Sequence, residues 1–518
     1  MSPIQTHIQW LIQTPPLPLP ILLPALFLAI SILTVGTYTL YNLKFHPLSA
    51  IPGPFLARAT PFYPIYLYYH GDFALHMRHL HSVYGEFVRL APNHIAVSSP
   101  TSFKQLWTTK GFEKGDFYDA FALGISKHRD LFTIRQNSFH SQRKRIHGNI
   151  WSMTSVLEME KYIDELIELF LQRMGRLADE KELMDVGLWT WRYTYDIIGE
   201  LFFGKAYGFL EKEQDIDNLM AAAGAVAPFE GMMGMAPVWA KPFMMWMLAI
   251  PNIARGIMNF QKVKVTGKKL VADRMKTMEN QDKSGRNDML GKMLSIVWEK
   301  GERVDWTVLD VEQECFVAMV AGNDTVSISL TVILYHLAKN PSSLARLQHD
   351  LDEAAKNGAL SPTIAYKEAI SLPYLVAIIN EGFRIHPLFG YPVPRVVPKG
   401  GAEVCGRWWP EGTELGTSCG VPEKNKAIFG EDAESWRPER WLVEKEKAAR
   451  MWDEVCAFGI GSRACIGQHI AQAEMTKLVA QFLLEFNIET ASEWDCLERW
   501  FNKPQNICIK VTRRNRAT

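Results

Sequence analysis

Cys465 has the neighbours that a reactive or metal-binding thiolate needs. It ends the loop FGIGSRAC, which starts at Phe458, and the helical pattern IGQHIAQAEMTKL follows at once. Free N–H groups and the positive dipole end at a helix start lower the pKa of a thiol. Glycines on both sides let the backbone lie close under a flat cofactor, and Arg463 can pair with an anionic group on it. The loop therefore predicts a thiolate that ligates a bound group.

Other interpretations of these residue types also have to be weighed. The glycine spacing at 459–464 fits a dinucleotide-binding loop, but the strand and the βαβ unit that such a loop needs are not apparent. Ser418 lies in GTSCG, the form of a hydrolase nucleophile elbow, with Asp432 and His469 following in triad order. Cys465 and His469 supply only half of a zinc site. A serine hydrolase using Ser418 stays as an alternative.

A second candidate segment is AGNDT, Ala321 to Thr325, in the middle of a long helical pattern over 307–338. Gly322 lowers helix propensity by about 1 kcal/mol, and the Asp-Thr pair interrupts an apolar face. An acid beside an alcohol can belong to a proton path. Helix packing with a threonine bonded back to its own helix would explain the same residues.

Four motifs in order give the loop a family context. The stretch from Phe458 to Gly467 matches every fixed position of the haem-binding signature of the cytochrome P450 family. AGNDT, EGFR at 381–384 and WRPERW at 436–441 precede it in the family's order. The chain therefore resembles a cytochrome P450 over nearly its whole length. The resemblance implies a mostly α fold with small β-sheets (α+β) and one transmembrane helix before it.

The resemblance also implies a haem b (iron protoporphyrin IX) cofactor with Cys465 as axial ligand of the iron. The residues that it places at the cofactor are Cys465, Arg463, Arg395, Phe458 and Lys144. Arg463 is the first choice as partner of a haem propionate and Arg395 the second. His140 and Lys144 stand where the family has Trp and Arg, so a solvated basic face would explain them equally well.

The resemblance also implies roles for residues in the middle of the predicted helix 307–338. By resemblance, Gly322 would open a groove for dioxygen, Thr325 would donate a hydrogen bond to the oxygen, and Asp324 would relay protons. Asp324 and Thr325 are therefore the expected catalytic pair.

A charged triad is the last implied feature. Glu381, Arg384 and Arg440 would form a buried, ion-paired and purely structural group. The Glu-x-x-Arg spacing recurs at 434–437, but that copy runs straight into Pro438 instead of continuing on a helical face.

The front of the chain predicts a membrane anchor. No Asp, Glu, Lys or Arg occurs before Lys44, and the apolar run at 21–41 is long enough for about 30 Å of hydrocarbon. We expect an anchor segment over 1–43, a Pro-rich elbow over 44–57 and a catalytic domain over 58–518. Lys44 and Arg58 after the span favour a cytoplasmic body. The resemblance implies a single-pass protein of the endoplasmic reticulum membrane.

The composition of the chain argues against one class of partner and indicates the cellular compartment. Lys plus Arg and Asp plus Glu both total 56 in 518 residues, with no long basic run, so we expect no nucleic-acid partner. Seven cysteines lack paired spacing, which is typical of a reducing compartment.

Apolar periodicity predicts the elements that must position these residues. The expected helices are 156–177, 188–201, 253–278, 307–338, 342–356, 372–385 and 470–486, and the expected strands are 86–91, 95–97, 395–397, 403–405 and 507–511. The methionine-rich stretch 232–247 could be a substrate lid or a second membrane contact.

The expected activity is that of a membrane-anchored haem-thiolate monooxygenase. It would insert one oxygen atom from O2 into a lipophilic small molecule, by hydroxylation, epoxidation or oxidative demethylation in fungal secondary metabolism, with electrons from NADPH–cytochrome P450 reductase. The motifs of the elbow and the body resemble the group around pisatin demethylase. A haem-thiolate isomerase or dehydratase would share the fold, and the Asp-Thr pair argues against it.

Overall fold

The computed structural model describes residues 19–122, 126–279 and 286–515. This part of the chain is mostly helical with small sheets, which confirms the predicted fold class. The helices of eight or more residues are α1 (Leu19–Leu40), α2 (Tyr63–His70), α3 (Phe73–Tyr84), α4 (Asn137–His147), α5 (Glu160–Glu180), α6 (Val186–Phe203), α7 (Leu219–Met235), α8 (Pro251–Glu279), α9 (Met289–Val304), α10 (Val308–Lys339), α11 (Pro341–Lys356), α12 (Pro373–Ile385), α13 (Lys445–Trp452) and α14 (Gln468–Glu485). Shorter α-helices are Phe55–Ala59, Ser102–Thr108, Met153–Leu157, Phe209–Lys212, Lys241–Met244, Tyr366–Ala369 and Lys426–Phe429.

The strands are short and pair into four sheets within the described residues. They are β1 (Phe87–Ala91), β2 (His94–Val97), β3 (Glu113–Lys114), β4 (Leu183–Asp185), β5 (Arg395–Val396), β6 (Ala402–Val404), β7 (Arg407–Trp409), β8 (Glu414–Thr417), β9 (Phe486–Thr490), β10 (Cys496–Glu498), β11 (Asn502–Pro504) and β12 (Cys508–Arg513). The largest sheet has the order β1-β2-β8-β5-β3, in which only β2 and β8 run parallel. It brings β3 and β5, from distant parts of the sequence, side by side near the Cys465 loop.

Helix α10 crosses the interior, as its length of 32 residues suggested. Thr307 and Asp310 form a capping box at its start, so the first turn has its free N–H groups satisfied. It packs against α6, α8, α12 and α14. A Cβ added to Gly382 of α12 would lie 2.5 Å from Ile333, so the absence of a side chain there lets α10 and α12 approach closely.

Some elements differ from the predictions. Helix α7 was not predicted, because its sequence is apolar nearly all round and contains Pro228, which leaves no amphipathic period. Helix α9 was not predicted either, although its pattern is amphipathic. Phe486 was assigned to the end of α14, but it begins β9 and pairs with Arg513. Strand β8 was not predicted, because only tertiary pairing with β2 and β5 defines so short a strand.

The apolar front helix continues into the body without a free linker. Helix α1 runs into a π-helical turn, Tyr41–Phe45, and the buried Arg89 donates to the Asn42 carbonyl oxygen at 2.8 Å. Leu48 and Ile51 of the predicted elbow are buried against the largest sheet. The predicted boundaries at 43/44 and 57/58 stay predictions, and residues 1–18 and 516–518 lie outside the described chain.

Candidate functional site

The loop from Phe458 to Cys465 folds as a tight turn over the start of α14. Gly459 and Gly461 have left-handed φ angles of 66° and 67°, and a Cβ on Gly459 would lie 3.1 Å from the Trp107 ring. The Cys465 N–H donates to the Phe458 carbonyl oxygen at 2.7 Å. Both conformation and space therefore require glycine at position 459.

Cys465 differs from the other six cysteines because it alone is exposed, while they are buried or half-buried. Its sulfur accepts the backbone N–H groups of Gly467 and Gln468 at the start of α14. Burial of the sulfur in its concavity raises the pKa of the thiol, and these two N–H groups and the Lys144 ammonium lower it. A sulfur with two amide donors and one open side suits a thiolate ligand.

Five basic side chains surround this loop: Lys114, His140, Lys144, Arg395 and Arg463. We call them the basic cluster. Within the described residues none of them forms an ion pair with a carboxylate, and their mutual repulsion adds to the effect of burial. Together these lower the pKa of Lys114 well below its usual value, that of His140 to about 2 and that of Arg463 to about 10. A group of buried basic side chains without a carboxylate partner is the environment that an anionic ligand would stabilise.

The two arginines of the basic cluster are not equivalent. Arg463 donates to the Asn137 side-chain oxygen and to the carbonyl oxygens of Ile134 and Arg135, at 2.7–3.1 Å. Arg395 donates to the Tyr118 hydroxyl at 2.9 Å and stacks over Trp107, but its buried Nη2 has no partner. The preference for Arg463 over Arg395 as partner of a propionate stays a prediction. Arg395 has free donors for an anion, and most of the Arg463 donors bind the protein.

Lys114 was missed by the sequence analysis. It lies on β3, which pairs with β5 and so with Arg395, and its ammonium is buried and donates to the carbonyl oxygens of Leu131 and Phe132. No motif marks it. The one available sequence signal was that aromatic residues lie near this lysine in the sequence. In the structure its ammonium lies over the Tyr118 and Phe132 rings.

His140 and Lys144 are on α4 and face the loop from a different side. Lys144 donates to the carbonyl oxygens of Ser462 and Ala464 at 3.0 and 3.1 Å, so it binds the backbone of the loop itself. The Nδ1 atom of the buried His140 has no partner among the described residues. The structure therefore places Lys144 beside the sulfur, and His140 is neutral because its pKa is low.

Phe458 stacks edge-to-face on Phe383 of α12, with ring centroids 5.1 Å apart. This contact packs the loop against the protein interior. The ring therefore has a packing role that the sequence motif alone did not reveal.

Helix α10 presents Asp324 and Thr325 to different surroundings. The Asp324 carboxylate accepts the Trp191 indole N–H at 2.7 Å and pairs with Lys503 at 3.0 Å. It lines a cleft of about 240 Å³ between α6, α7, α10 and β11. The Thr325 hydroxyl donates to the carbonyl oxygen of Ala321 at 2.9 Å, and Ala321 is exposed although it lies in the middle of a core helix. An opening therefore lies beside Thr325, and the adjacent acid faces the cleft.

Gly322 serves helix packing in this structure. A Cβ on it would lie 2.7 Å from Ile198 of α6, so glycine permits the close approach of α6 and α10. The groove for dioxygen at Gly322 stays a prediction beside this packing role.

The second group of charges is Glu381, Arg384 and Arg440, which we call the Glu381 cluster. Arg384 makes a two-pronged ion pair with Glu381 at 2.7 and 2.8 Å, and Arg440 reaches the same carboxylate at 3.1 Å. The Trp441 indole N–H and the Arg437 backbone N–H donate to it as well. The remaining guanidinium N–H groups donate to backbone carbonyl oxygens, such as those that Arg384 finds on Glu423, Ala433 and Ser435.

The duplicate Glu-x-x-Arg is at the surface. Glu434 pairs with Arg78 at 3.1 Å and Arg437 pairs with Asp432 at 2.7 Å, so the two residues of the motif do not bind each other. The helical copy at Glu381 is the buried one, as the sequence context indicated.

The hydrolase triad does not assemble. Ser418 is fully buried and its hydroxyl lies 2.8 Å from Nε2 of His81, not from His469. Asp432 pairs with Arg437 and Arg440. Burial lowers the pKa of His81 to about 4, and its ring nitrogens contact Gly85, Ser98 and Ser418 but no carboxylate of the described residues. Ser418 therefore lacks both access and the partners of a nucleophile.

An aromatic wall lies beside β3 and the first strands. Phe117 stacks on Tyr391 at 5.1 Å, and Phe121 packs on Trp500 at 4.9 Å. These rings come from segments that are distant in sequence: Phe117 and Phe121 follow β3, Tyr391 precedes β5, and Trp500 lies between β10 and β11. Such a surface favours an apolar ligand.

Comparisons with known proteins agree with the motifs. The Cytochrome P450 family model matches residues 54–511. The chain is 33% identical to Cytochrome P450 monooxygenase gsfF of Penicillium aethiopicum, with 92% of this chain and 95% of that protein covered. It is 32% identical to Cytochrome P450 monooxygenase cicH of Emericella nidulans, with 91% and 95% covered. It is 31% identical to pisatin demethylase of Fusarium vanettenii, with 95% and 94% covered.

Proposed function

The chain belongs to the cytochrome P450 family and is a haem-dependent monooxygenase, and from that premise we propose that Cys465 is the axial thiolate ligand of its haem. The observation that supports this most is the exposed sulfur, which accepts two amide N–H groups at the start of α14. When bound, the haem supplies the activation of dioxygen, which a thiolate ligand promotes by donating electron density.

The absorption spectrum of the reduced, carbon-monoxide-bound protein tests this ligand. The wild-type protein is expected to show the thiolate-type Soret band, and Cys465→Ser is expected to lose it. Cys508→Ser and Ser418→Ala are controls that should keep the band. If it persists in Cys465→Ser, the assignment is wrong.

Arg395 and Lys114 are the proposed partners of the haem propionates. They are the members of the basic cluster with buried positive charge and, for Arg395, an unpaired N–H group. Arg463 and Lys144 are proposed to hold the loop and its sulfur in place through the carbonyl oxygens that they bind.

Thr325 and Asp324 are the proposed catalytic pair. Thr325 would turn its hydroxyl from the Ala321 carbonyl oxygen toward dioxygen, and Asp324 would take protons from the cleft shared with Lys503. Thr325→Ala is expected to lower the ratio of product formed to NADPH consumed and to raise peroxide release. An unchanged ratio would contradict the proton role.

The proposed substrate is a lipophilic small molecule that packs against the aromatic wall. The proposed reaction is a hydroxylation, epoxidation or oxidative demethylation in fungal secondary metabolism, supported by the fungal relatives, one of which is named for the demethylation of pisatin. Metabolite profiling of a deletion strain tests it, because the accumulating precursor identifies the molecule and the carbon that is oxidised.

Helix α1 is the proposed membrane anchor, in the endoplasmic reticulum, with the body in the cytoplasm. The helix and the π-helical turn after it form an apolar span, Leu23–Phe45, whose side chains are almost all exposed. Arg89 fixes the end of this span to the body, so the anchor would set the tilt of the body on the membrane.

The methionine-rich stretch 232–247 divides into two parts. Met232 and Met235 pack toward the aromatic wall. Trp239, Phe243 and Trp246 are exposed, and Trp239 contacts Phe62, so the second part continues an apolar surface toward the anchor. We propose that this second part touches the bilayer. Quenching of its tryptophans by brominated lipids, relative to a Trp246→Ser variant, measures the contact.

The proposed electron donor is NADPH–cytochrome P450 reductase, docking on the α4 face. A shallow depression lined by Ser141, Lys144, Arg145 and Ser462 lies beside the Cys465 loop and carries positive charge. Arg145→Glu should lower reductase-supported turnover and flatten its dependence on salt, while the carbon monoxide band is kept.

A further inference from the structure

Three side chains that ligate metals converge beside the Cys465 loop, and the proposed haem site uses none of them. They are Cys419 after β8, Glu423 in the turn Pro422–Lys424, and Cys456, nine residues before Cys465. One ligand atom of each lies within 4.8 Å of the others, and all three residues are buried. It is the one such group of three found in the part of the chain that the structure describes.

The Glu423 carboxylate has no charged partner in the protein. It accepts the backbone N–H groups of Gly420 at 2.8 Å and Cys456 at 3.1 Å, its own backbone N–H and the Cys456 thiol, and it forms no ion pair with any described Lys, Arg or His. The nearby Arg384 donates to the backbone carbonyl oxygen of Glu423, not to its carboxylate. A buried carboxylate without a cation is costly, so this one either holds a proton or faces a cation.

The donor set has a clear chemical preference. Two thiolates and a carboxylate are ligands that Zn²⁺ accepts, at about 2.3 Å from sulfur and about 2.0 Å from oxygen, so ligand atoms around one ion fit within the observed separation. Three backbone N–H groups donate to the carboxylate, which leaves it a lone pair for the ion, so the three side chains supply three of the four donor atoms that zinc takes.

We propose that Cys419, Glu423 and Cys456 form a structural site for a zinc-class divalent cation. Binding releases the two thiol protons to solvent, and the ion's two positive charges offset the two thiolates, while the carboxylate keeps its negative charge and its backbone N–H donors. The site would tie the turn after β8 to the chain that enters the Cys465 loop, since Ile460 of that loop packs against Cys419, Cys456 and Phe103. It would therefore help to hold the loop in the shape that the ligand cysteine needs.

The test is the zinc-to-iron ratio of the purified holoprotein, measured by elemental mass spectrometry after production with added zinc and desalting. The wild type is expected to hold about one zinc per chain, the number of sites proposed. Cys419→Ser and Cys456→Ser should lower the ratio at least tenfold, and Cys508→Ser, the matched control, should leave it unchanged. Cys465→Ser should lose the carbon monoxide band and keep its zinc, so failure of the haem assignment is distinguishable from failure of this one.

Glu423→Gln keeps both thiols and covers the case in which the serine variants do not fold. It should release zinc to a chelator at least tenfold faster than the wild type. Cadmium as a second probe should give a thiolate charge-transfer band in the wild type that Cys456→Ser lacks. A wild type with no zinc above the Cys456→Ser level, or a thiol titration under denaturing, non-reducing conditions that finds two thiols missing as a disulfide, would overturn the proposal.

Discussion

The Glu381 cluster and the basic cluster both contain buried arginine side chains, and they differ in whether the hydrogen bonds of those side chains are complete. Glu381 receives both guanidinium groups of its cluster, and no buried polar atom of Glu381, Arg384 or Arg440 lacks a partner. In the basic cluster, Arg395 keeps an unpaired N–H group and the Lys114 ammonium has no carboxylate partner. The hydrogen bonds of the Glu381 cluster are complete within the protein, which we call closed, and those of the basic cluster are incomplete without an anion.

The comparison teaches how to distinguish a structural charge from a ligand-binding charge. A closed cluster gains nothing from an added ligand, whereas unpaired buried donors cost free energy that an anionic ligand recovers on binding. In our proposal, the basic cluster keeps unpaired buried donors that bind the haem propionates, and the Glu381 cluster fixes the surrounding core.

The largest expected effect is on the closed cluster. Glu381→Gln should lower the free energy of unfolding by about 3–5 kcal/mol, because two buried guanidinium groups lose their carboxylate. Thermal unfolding followed by circular dichroism measures it. The control is Glu434→Gln in the exposed copy of the motif, which should change stability by less than about 0.5 kcal/mol. Similar losses in both variants would remove the distinction between the two copies.

Arg395→Gln should act on haem and not on the fold. Losing a hydrogen bond to a charged group is worth about 1.5–3 kcal/mol, so haem release should become about 10- to 100-fold faster. Transfer of haem to apomyoglobin measures the rate. If this variant instead loses stability as Glu381→Gln does, and its haem release is unchanged, Arg395 belongs to the closed type of cluster.

Haem retention should depend on pH through Lys114. Burial, and then the charges of Arg395 and Arg463, lower the pKa of its ammonium, and a bound propionate would raise it again. The haem-bound state then holds more protons than the haem-free state. The affinity for haem therefore falls as the pH rises toward the usual lysine pKa, by at most about 1.4 kcal/mol per pH unit. Lys114→Met should release haem faster at pH 7 and lose most of the dependence between pH 7 and 9. The exposed Lys110→Met is the control, and an unaltered slope in Lys114→Met would contradict the assignment.

The smallest effect is expected at Lys144. Its ammonium binds two carbonyl oxygens of the loop and is only partly buried, so Lys144→Met should destabilise the loop by about 0.5–1.5 kcal/mol. The temperature at which the carbon monoxide band is lost should fall slightly, while Arg145→Met leaves it unchanged. Haem release as fast as in Arg395→Gln would place Lys144 among the propionate partners instead.

The motifs could be recognised from sequence because each is local. The loop before Cys465 and the pair Glu381–Arg384 depend on residues within one turn or one helix, where spacing fixes which groups are neighbours. The hydrophobic period likewise predicted α10 and α14, though not α7, whose apolar residues cover every face.

The roles of single side chains were harder to predict. Whether Arg395 or Arg463 has free donors depends on Tyr118, Asn137 and other acceptors from distant segments. The direction of Asp324 depends on Trp191 and Lys503, which come from α6 and β11. No spacing rule connects those positions.

The sequence by itself determined the fold family, the loop that ends at Cys465 and the closed charge pair, because covalent spacing along a helix or a tight turn already sets their geometry. Only the tertiary structure decided that Lys114 joins the basic cluster and that Cys419 meets Cys456. Strand pairing and helix packing bring such residues together over hundreds of positions, and the hydrogen bonds that remain unpaired can be recognised only when every neighbour is in place.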